Sequence, residues 1–330
     1  MSEIVKQRSV RAVPDIVKVE RLAAVILLAG ALSVPFLLKG FMVFQLTQMM
    51  IYAIAILGLN FLTGINGQFS LGHGAFYAAG AYAAAIAIQF GGIPYPLAII
   101  LAGAFCFAFG FLVGFPALRL EGIYLALATF ALAVAMPQLL KLSPFEPWTG
   151  GVMGMVLTTP EAPFGLPLTS DQWLYFVTIA YGLAIYWLLR NLIGSRNGRA
   201  LMAIRDNPVA ASAMGVNLAM FKTLAFGVSA ATTGVAGALS AIVVQFVAPD
   251  SFTFFLSIAL MVGMVVGGVA WLPGALFGGA FIMFVPNLAD EISQGLAGVL
   301  YGVFLILTIY LFPNGLGGLI TRLGKKFTNH

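Results

Sequence analysis

RNLIGSRNGRALMAIRDNPVAASAMGVNLAMFK, residues 190–222, is a polar island between two long apolar runs. It holds Arg190, Arg196, Arg199, Arg205 and Lys222, too many charges for a membrane-crossing segment, and it is too long for a simple turn. Within it, Asp206-Asn207-Pro208 opens a short helix. Asn207 can cap, and Pro208 suits the first helical position, where a missing N–H is no loss. Gly215 suits the left-handed position just past the last turn. The enclosed run Pro208–Met214 makes about two turns, about 10 Å at roughly 1.5 Å per residue, and so short a helix does not hold by itself in water. It needs a surface. Ala210, Ala211 and Ala213 permit close approach, while Val209 and Met214 offer apolar contact. The residues leave two readings open: a connector packed on its own bundle, or a helix offered to another subunit.

The flanking sequence is overwhelmingly apolar. Of 330 residues, 61% are hydrophobic and 8% charged, against roughly 25% charged in a soluble domain. There are too few polar groups to cover a water-exposed surface, so a lipid bilayer must cover most of it. Ten segments approach the length of about 20 apolar residues that crosses hydrocarbon. They are approximately Leu22–Leu38, Met42–Thr63, Leu71–Phe90, Tyr95–Leu118, Gly122–Leu140, Gln172–Leu189, Thr223–Ala248, Thr253–Leu272, Gly274–Ala289 and Ala297–Phe312, and none contains Asp, Glu, Lys or Arg. The ninth is short and Gly-rich, which suggests a tilted or broken helix. The expected fold class is therefore all-α, a polytopic transmembrane helix bundle of about ten spans over residues 22–312.

Basic residues mark the cytoplasmic side. They concentrate in the N-terminal segment 1–21, in the loop 190–222 and in the tail 313–330, whereas the loop 142–171 has no Lys or Arg and carries Glu146, Glu161 and Asp171. Ten crossings from a cytoplasmic start place all three basic blocks and both termini inside, and the acidic loop outside. Lys39 and Lys141 fall outside at span ends, where a Lys can snorkel. The net charge of +5 thus reflects membrane orientation, with no nucleic acid implied. No small-residue cleavage site follows the first apolar run, which is read as a retained span. Cys106 is the single cysteine, so no internal disulfide forms.

Two stretches break the apolar pattern. Asn60–Gly74, NFLTGINGQFSLGHG, mixes four glycines with Asn60, Asn66, Gln68, Ser70 and His73. Irregular backbone at membrane depth is tolerated inside protein or beside a water-filled cavity, so these five are candidates for a translocation path. The alternative is a cytoplasmic turn with glycines for helix packing. A second break, Gly263–Ala280, contains Gly267-Gly268 and Leu272-Pro273-Gly274. One break in each half hints at a duplicated core of five spans and five inverted ones. Small residues four apart, Ala230, Gly234 and Ala238, and Gly74 with Ala78 and Gly80 with Ala84, form stripes that let helix backbones touch, most simply within the chain.

The sequence carries no catalytic constellation, metal cluster or cofactor motif. His73 has no acidic neighbours and is assigned no chemistry. Gly324-Lys325 is not a phosphate loop, because Leu319 stands where glycine is required. Apart from His73, the spans lack the Asp, Glu or His that proton- and cation-coupled carriers place at membrane depth. What remains is a passive pathway driven by a nucleotide-hydrolysing subunit docked on the polar loop. A stand-alone secondary carrier or channel stays open.

At this point the motifs Thr63–Ala81 (TGINGQFSLGHGAFYAAGA), Arg119–Phe130 (RLEGIYLALATF), Thr149-Gly150-Gly151 with Gly154, Gly198–Gly215 (GRALMAIRDNPVAASAMG), Leu224–Ala241 and Phe312–Gly318 are recognisable. Together they resemble the permeases of branched-chain amino acid ABC transporters, of the LivM type. The resemblance implies that Ala210, Ala211 and Gly215 match the Ala-Ala-x-x-x-Gly core of the coupling helix, which inserts into a cleft on the ATPase subunit. Pro208, Val209 and Met214 complete that helix. Val209 replaces the glutamate of the general motif, Pro208 and Ser212 stand where acidic residues are common, and Ala270-Trp271 replaces part of a Gly-rich stretch. The resemblance further implies a ten-helix importer fold of the vitamin B12 permease type. The implied partners are a homologous second permease subunit, two ATP-binding cassette ATPase subunits and a periplasmic substrate-binding protein. Importers of urea and short amides share much of the motif set and remain the alternative.

Overall fold

A computed structural model describes residues 30–292, apart from 119 and 121, and scattered positions from 299 to 317. The segment 1–21, Arg119, and most of the tenth apolar run and of the tail lie outside the described residues. The described chain is almost wholly helical: α1 (30–37), α2 (Gly40–Leu59), α3 (His73–Gln89), α4 (Tyr95–Ala117), α5 (Ile123–Leu140), α6 (Glu146–Thr149), α7 (Ser170–Gly194), α8 (Arg196–Asp206), α9 (Pro208–Ala213), α10 (Leu218–Val244), α11 (Phe254–Gly267) and α12 (Gly274–Ile292). Two two-residue strands, β1 (Met155–Val156) and β2 (Phe246–Val247), pair antiparallel.

Among the described residues six helices are long and apolar enough to cross a membrane: Gly40–Ile65, Tyr95–Pro116, Ile123–Leu140, Ser170–Gly194, Leu218–Val244 and Pro249–Gly267. The chain is thus a polytopic helical bundle. Each of the expected runs two to nine contains one helix. The eighth does not extend to Leu272. It stops at Gly267, because Gly268 (φ 116°) and Ala270 (φ 64°) turn the chain back into α12. The ninth is not broken: α12 is one continuous helix of 19 residues that carries Pro286, but its apolar part, Gly274–Ala289, is short, as expected. The sixth and seventh begin earlier than apolarity indicates, each at a cap. Thr169 and Gln172 form a capping box at α7, and Asn217 Oδ1 accepts from Met220 N at 3.1 Å at α10.

The core forms around α10, which packs on α2, α3 and α4. Lipid-embedded helices gain no hydrophobic driving force from one another, so close van der Waals contact must hold them. Small residues supply it. A Cβ at Gly80 of α3 would collide with the backbone of Gly234 in α10, and one at Gly234 with the Cys106 side chain of α4. A Cβ at Gly237 would collide with the Tyr77 carbonyl, and one at Gly58 would lie 2.7 Å from the Ser229 carbonyl. The small-residue stripes therefore serve packing within the chain. The α11–α12 hairpin repeats the device, with Gly263 facing Gly278 and Gly267 facing Gly274.

The contacts sort into two ends. At one, Lys141 pairs with Asp250 (2.5 Å) and β1 pairs with β2. The same end holds α1 against the start of α7, where Gln172 Nε2 donates to the Pro35 carbonyl (2.9 Å) and Tyr175 Oη to that of Ala31 (2.8 Å). At the other lie the break after α2, α8 and α9, and the turn between α11 and α12. The 25 residues of α7 and the 27 of α10 run from one to the other. We expect Gly80→Val to lower thermal stability in detergent by about 1–3 kcal/mol through overpacking. Gly194→Ala, at a glycine with nothing within 4 Å, should leave the unfolding midpoint unchanged.

Candidate functional site

Helix α2 does not end cleanly. It widens at Asn60–Ile65 into a π-helical turn, a form that occurs mostly in single turns and often at functional sites. The normal ladder is then broken: Asn66 N bonds the Phe61 carbonyl and Gln68 N that of Leu62, with only Gly67 N keeping the regular bond, to Thr63. Gly67 (φ 77°) reverses the chain toward α3. Side chains secure the loosened segment. Thr63 Oγ1 donates to the Gln68 carbonyl (3.0 Å), and Leu71 N donates to Thr129 Oγ1 of α5 (2.9 Å).

All five sequence candidates in this break are buried. Asn60 reaches across to the other break. Its Nδ2 donates to the Gly268 carbonyl (3.1 Å) and the Trp271 carbonyl (3.2 Å), while its Oδ1 accepts from Ala270 N (2.7 Å). One amide thus satisfies three backbone groups of the α11–α12 turn, and the two breaks form a single joined feature. Asn66 Nδ2 donates to Gln68 Oε1 (2.5 Å), and Asn66 Oδ1 is buried without a partner.

Ser70 and His73 belong to a polar relay. Ser229 Oγ of α10 donates to the Gly58 carbonyl (2.6 Å), so it accepts from His73 Nε2 (2.7 Å). His73 Nδ1 is then the acceptor for Ser70 Oγ (3.1 Å). This bookkeeping assigns the tautomer with its proton on Nε2. It ties α2, α3 and α10 at one buried point. Gly74 N, one residue on, donates to Ser257 Oγ of α11 (2.8 Å). Ser229 and Ser257 could not be singled out from sequence, because a serine in an apolar run carries no mark of its partner.

The short helix α9 lies at the same end of the bundle. Asn207 Oδ1 accepts from Ala210 N (3.0 Å), and Pro208 occupies the first turn. At the other terminus Gly215 (φ 84°) donates to the Ser212 carbonyl (2.9 Å) and Val216 N to that of Ala211 (3.1 Å), a Schellman ending. Ala211 is buried against the bundle, whereas Val209 and Met214 are 78% and 85% exposed. Ala210 also faces outward. The helix therefore uses Ala211 for its own bundle and presents its apolar tips away from it.

A family profile described as "Branched-chain amino acid transport system / permease component" matches residues 41–309. The chain belongs to this permease family. It is 31% identical over 320 residues to the high-affinity branched-chain amino acid transport system permease protein LivM of Salmonella typhimurium, covering 90% of this chain and 75% of that protein. LivM of Escherichia coli K12 matches at the same identity and coverage. The corresponding permease protein LivH of Escherichia coli K12 is 25% identical, over 81% of this chain and 91% of its own length. A solved structure, PsaBC from Streptococcus pneumoniae in complex with Fab, covers 86% of this chain and 95% of that chain with 13% identity and a TM-score of 0.41, below the level that establishes a shared fold. The permease is a transport subunit and not an enzyme, and it is a multi-pass protein of the inner membrane. Replacing Ser229 by Ala should leave His73 Nε2 without its acceptor and take the side-chain donor from the Gly58 carbonyl. We expect a loss of about 1–3 kcal/mol, read as a lower unfolding midpoint of the purified permease.

Proposed function

We propose that this permease forms the membrane pathway of an ATP-driven importer for leucine, isoleucine and valine, and that α9 is its coupling helix. The observation that carries this reading is a short helix, capped at both ends, whose Val209 and Met214 stand exposed at the end of the bundle where both helix breaks lie. Exposed apolar tips on a pre-formed helix suit insertion into a cleft of another subunit. Pro208, Val209, Ala210, Met214 and Gly215 contribute the face or its termination, and Ala211 seats the helix on the permease.

The assembly we propose contains a second, homologous permease subunit, two ATP-binding cassette ATPase subunits and a periplasmic binding protein. The LivM and LivH relatives, both named permease proteins of branched-chain amino acid transport systems, support two permease chains of one family. The proposed architecture has ten crossings in a vitamin B12 permease-like arrangement, with both termini and the loop 190–222 cytoplasmic and the loop 142–171 periplasmic. The bundle supports this orientation indirectly. Arg196, Arg199 and Arg205 lie at one end, while the acidic loop and β1–β2 lie at the other. Asn60, Asn66, Gln68, Ser70 and His73 are proposed to line the inner part of the path when the joined breaks move apart. The partnerless Asn66 Oδ1 is a buried acceptor available to a substrate ammonium.

ATP-dependent uptake of labelled leucine by the reconstituted complex, competed by isoleucine and valine and not by urea, is the expected result. Uptake by the purified chain alone without ATP would sink the reading. Gly215→Val forces a β-branched residue into φ 84° and should unwind the end of α9. Recovery of the ATPase subunits with the permease should then fall several-fold in pull-down. A cysteine placed at Ser195 should resist an impermeant thiol reagent in intact cells and react in inverted vesicles.

A further inference from the structure

Helix α8 is bonded to the break as well as packed near it. The Arg205 guanidinium is gripped from one side by the next residue: Nε and Nη2 donate to Asp206 Oδ1 at 3.0 Å and 2.9 Å. That pair is partly open to water, where such pairs add little stability. Its effect is geometric, because it holds the fork so that Nη1 donates to the Gly64 carbonyl at 2.9 Å. That carbonyl is an orphan of the π-helical turn: Gln68 N, which would take it in a regular helix, bonds the Leu62 carbonyl instead. The fit is close. A Cβ on Gly67 would lie 2.7 Å from Arg205 Cγ, so glycine is required there by space as well as by its φ.

Asn60 holds the same turn from its other side. The Asn60 side chain fills the place a Cβ on Gly64 would take, and its amide carries the three bonds to Gly268, Ala270 and Trp271. Ala270 sits there at φ 64°, a conformation costly for a residue with a Cβ and kept only where surroundings enforce it. Asp206, which grips Arg205, is followed directly by Asn207, the cap of α9. From α9 to the α11–α12 hairpin the chain of contacts is continuous, with two polar side chains as its joints.

We infer that Arg205 is a positioning residue that passes displacement of α8–α9 to both helix breaks, through the Gly64 carbonyl and onward through Asn60 to the Gly268–Trp271 turn. The inference rests on the coupling-helix reading and names the route by which that helix moves the pathway. Contact alone does not establish energetic coupling, so the test measures the coupling itself.

In the complete reconstituted complex, leucine transported per ATP hydrolysed is compared for unaltered permease, Arg205→Ala, Arg205→Lys, Asn60→Asp and Gly67→Ala. We expect Arg205→Ala to retain its ATPase subunits and hydrolysis within about twofold. Transport per ATP should fall about tenfold, the scale of ordinary coupling free energies. Arg205→Lys keeps one donor for the Gly64 carbonyl and should recover part of the loss. Asn60→Asp removes two donors without changing shape, and Gly67→Ala pushes Arg205 aside; each should uncouple similarly. The Arg205→Ala, Asn60→Asp double variant should be no worse than the more severe single variant, as expected for joints in series. An unchanged ratio in Arg205→Ala, or loss of hydrolysis and uptake in equal proportion, would overturn the inference. Absence of ATP-dependent uptake in the unaltered complex would overturn the coupling reading itself, and is seen before any variant is made.

Discussion

Every departure from regular helix in this bundle has to be repaired by the protein, because hydrocarbon offers no hydrogen bonds to a freed backbone group. Asn60 makes the principal repair. A single amide supplies two donors and one acceptor to a turn that has lost its ladder, and it does so from within another disrupted turn. The two irregular segments are therefore mutually dependent. Neither could relax into lipid alone without leaving polar groups unsatisfied in the other.

Around that joint the bundle is held by proximity. Glycines at Gly58, Gly80 and Gly237 bring α2 and α3 into backbone contact with α10, Gly234 seats α10 on the Cys106 side chain of α4, and the His73–Ser229–Gly58 relay bonds three of these four helices directly. The far end is tied differently, by the Lys141–Asp250 pair and the β1–β2 ladder, both in segments that connect spans. The molecule thus has a dense, hydrogen-bonded interior and polar ties at its rims. Motion of the α11–α12 hairpin would turn on Asn60, whose side chain binds its turn.

Much of this was legible in the residues. Apolar length marked the helices, since a crossing segment has little latitude in composition, and Asn207, Pro208 and Gly215 marked both termini of α9 because capping is local chemistry. Ends governed by long-range contact were not legible. Gly267-Gly268 was legible as a break, but not the partner that holds it: Asn60, more than two hundred positions earlier, bonds the turn there. The glycines of α12 looked like breaks and proved to be surfaces for α2 and α11, because a glycine requirement reads the same whether it comes from a turn or a neighbour. In the candidate path, residue types were readable while their partners were not. His73 looked solitary until the fold brought Ser229 to it, and Arg205 looked like one more topology-setting charge.

The double capping of α9 has a kinetic consequence. With Asn207 closing one terminus and Gly215 the other, the helix meets any binding surface already wound, so association need not wait for a coil to order. Encounter can then proceed at the pace of diffusion and orientation, and the lifetime of the complex becomes the quantity that substitutions at Val209 or Met214 adjust.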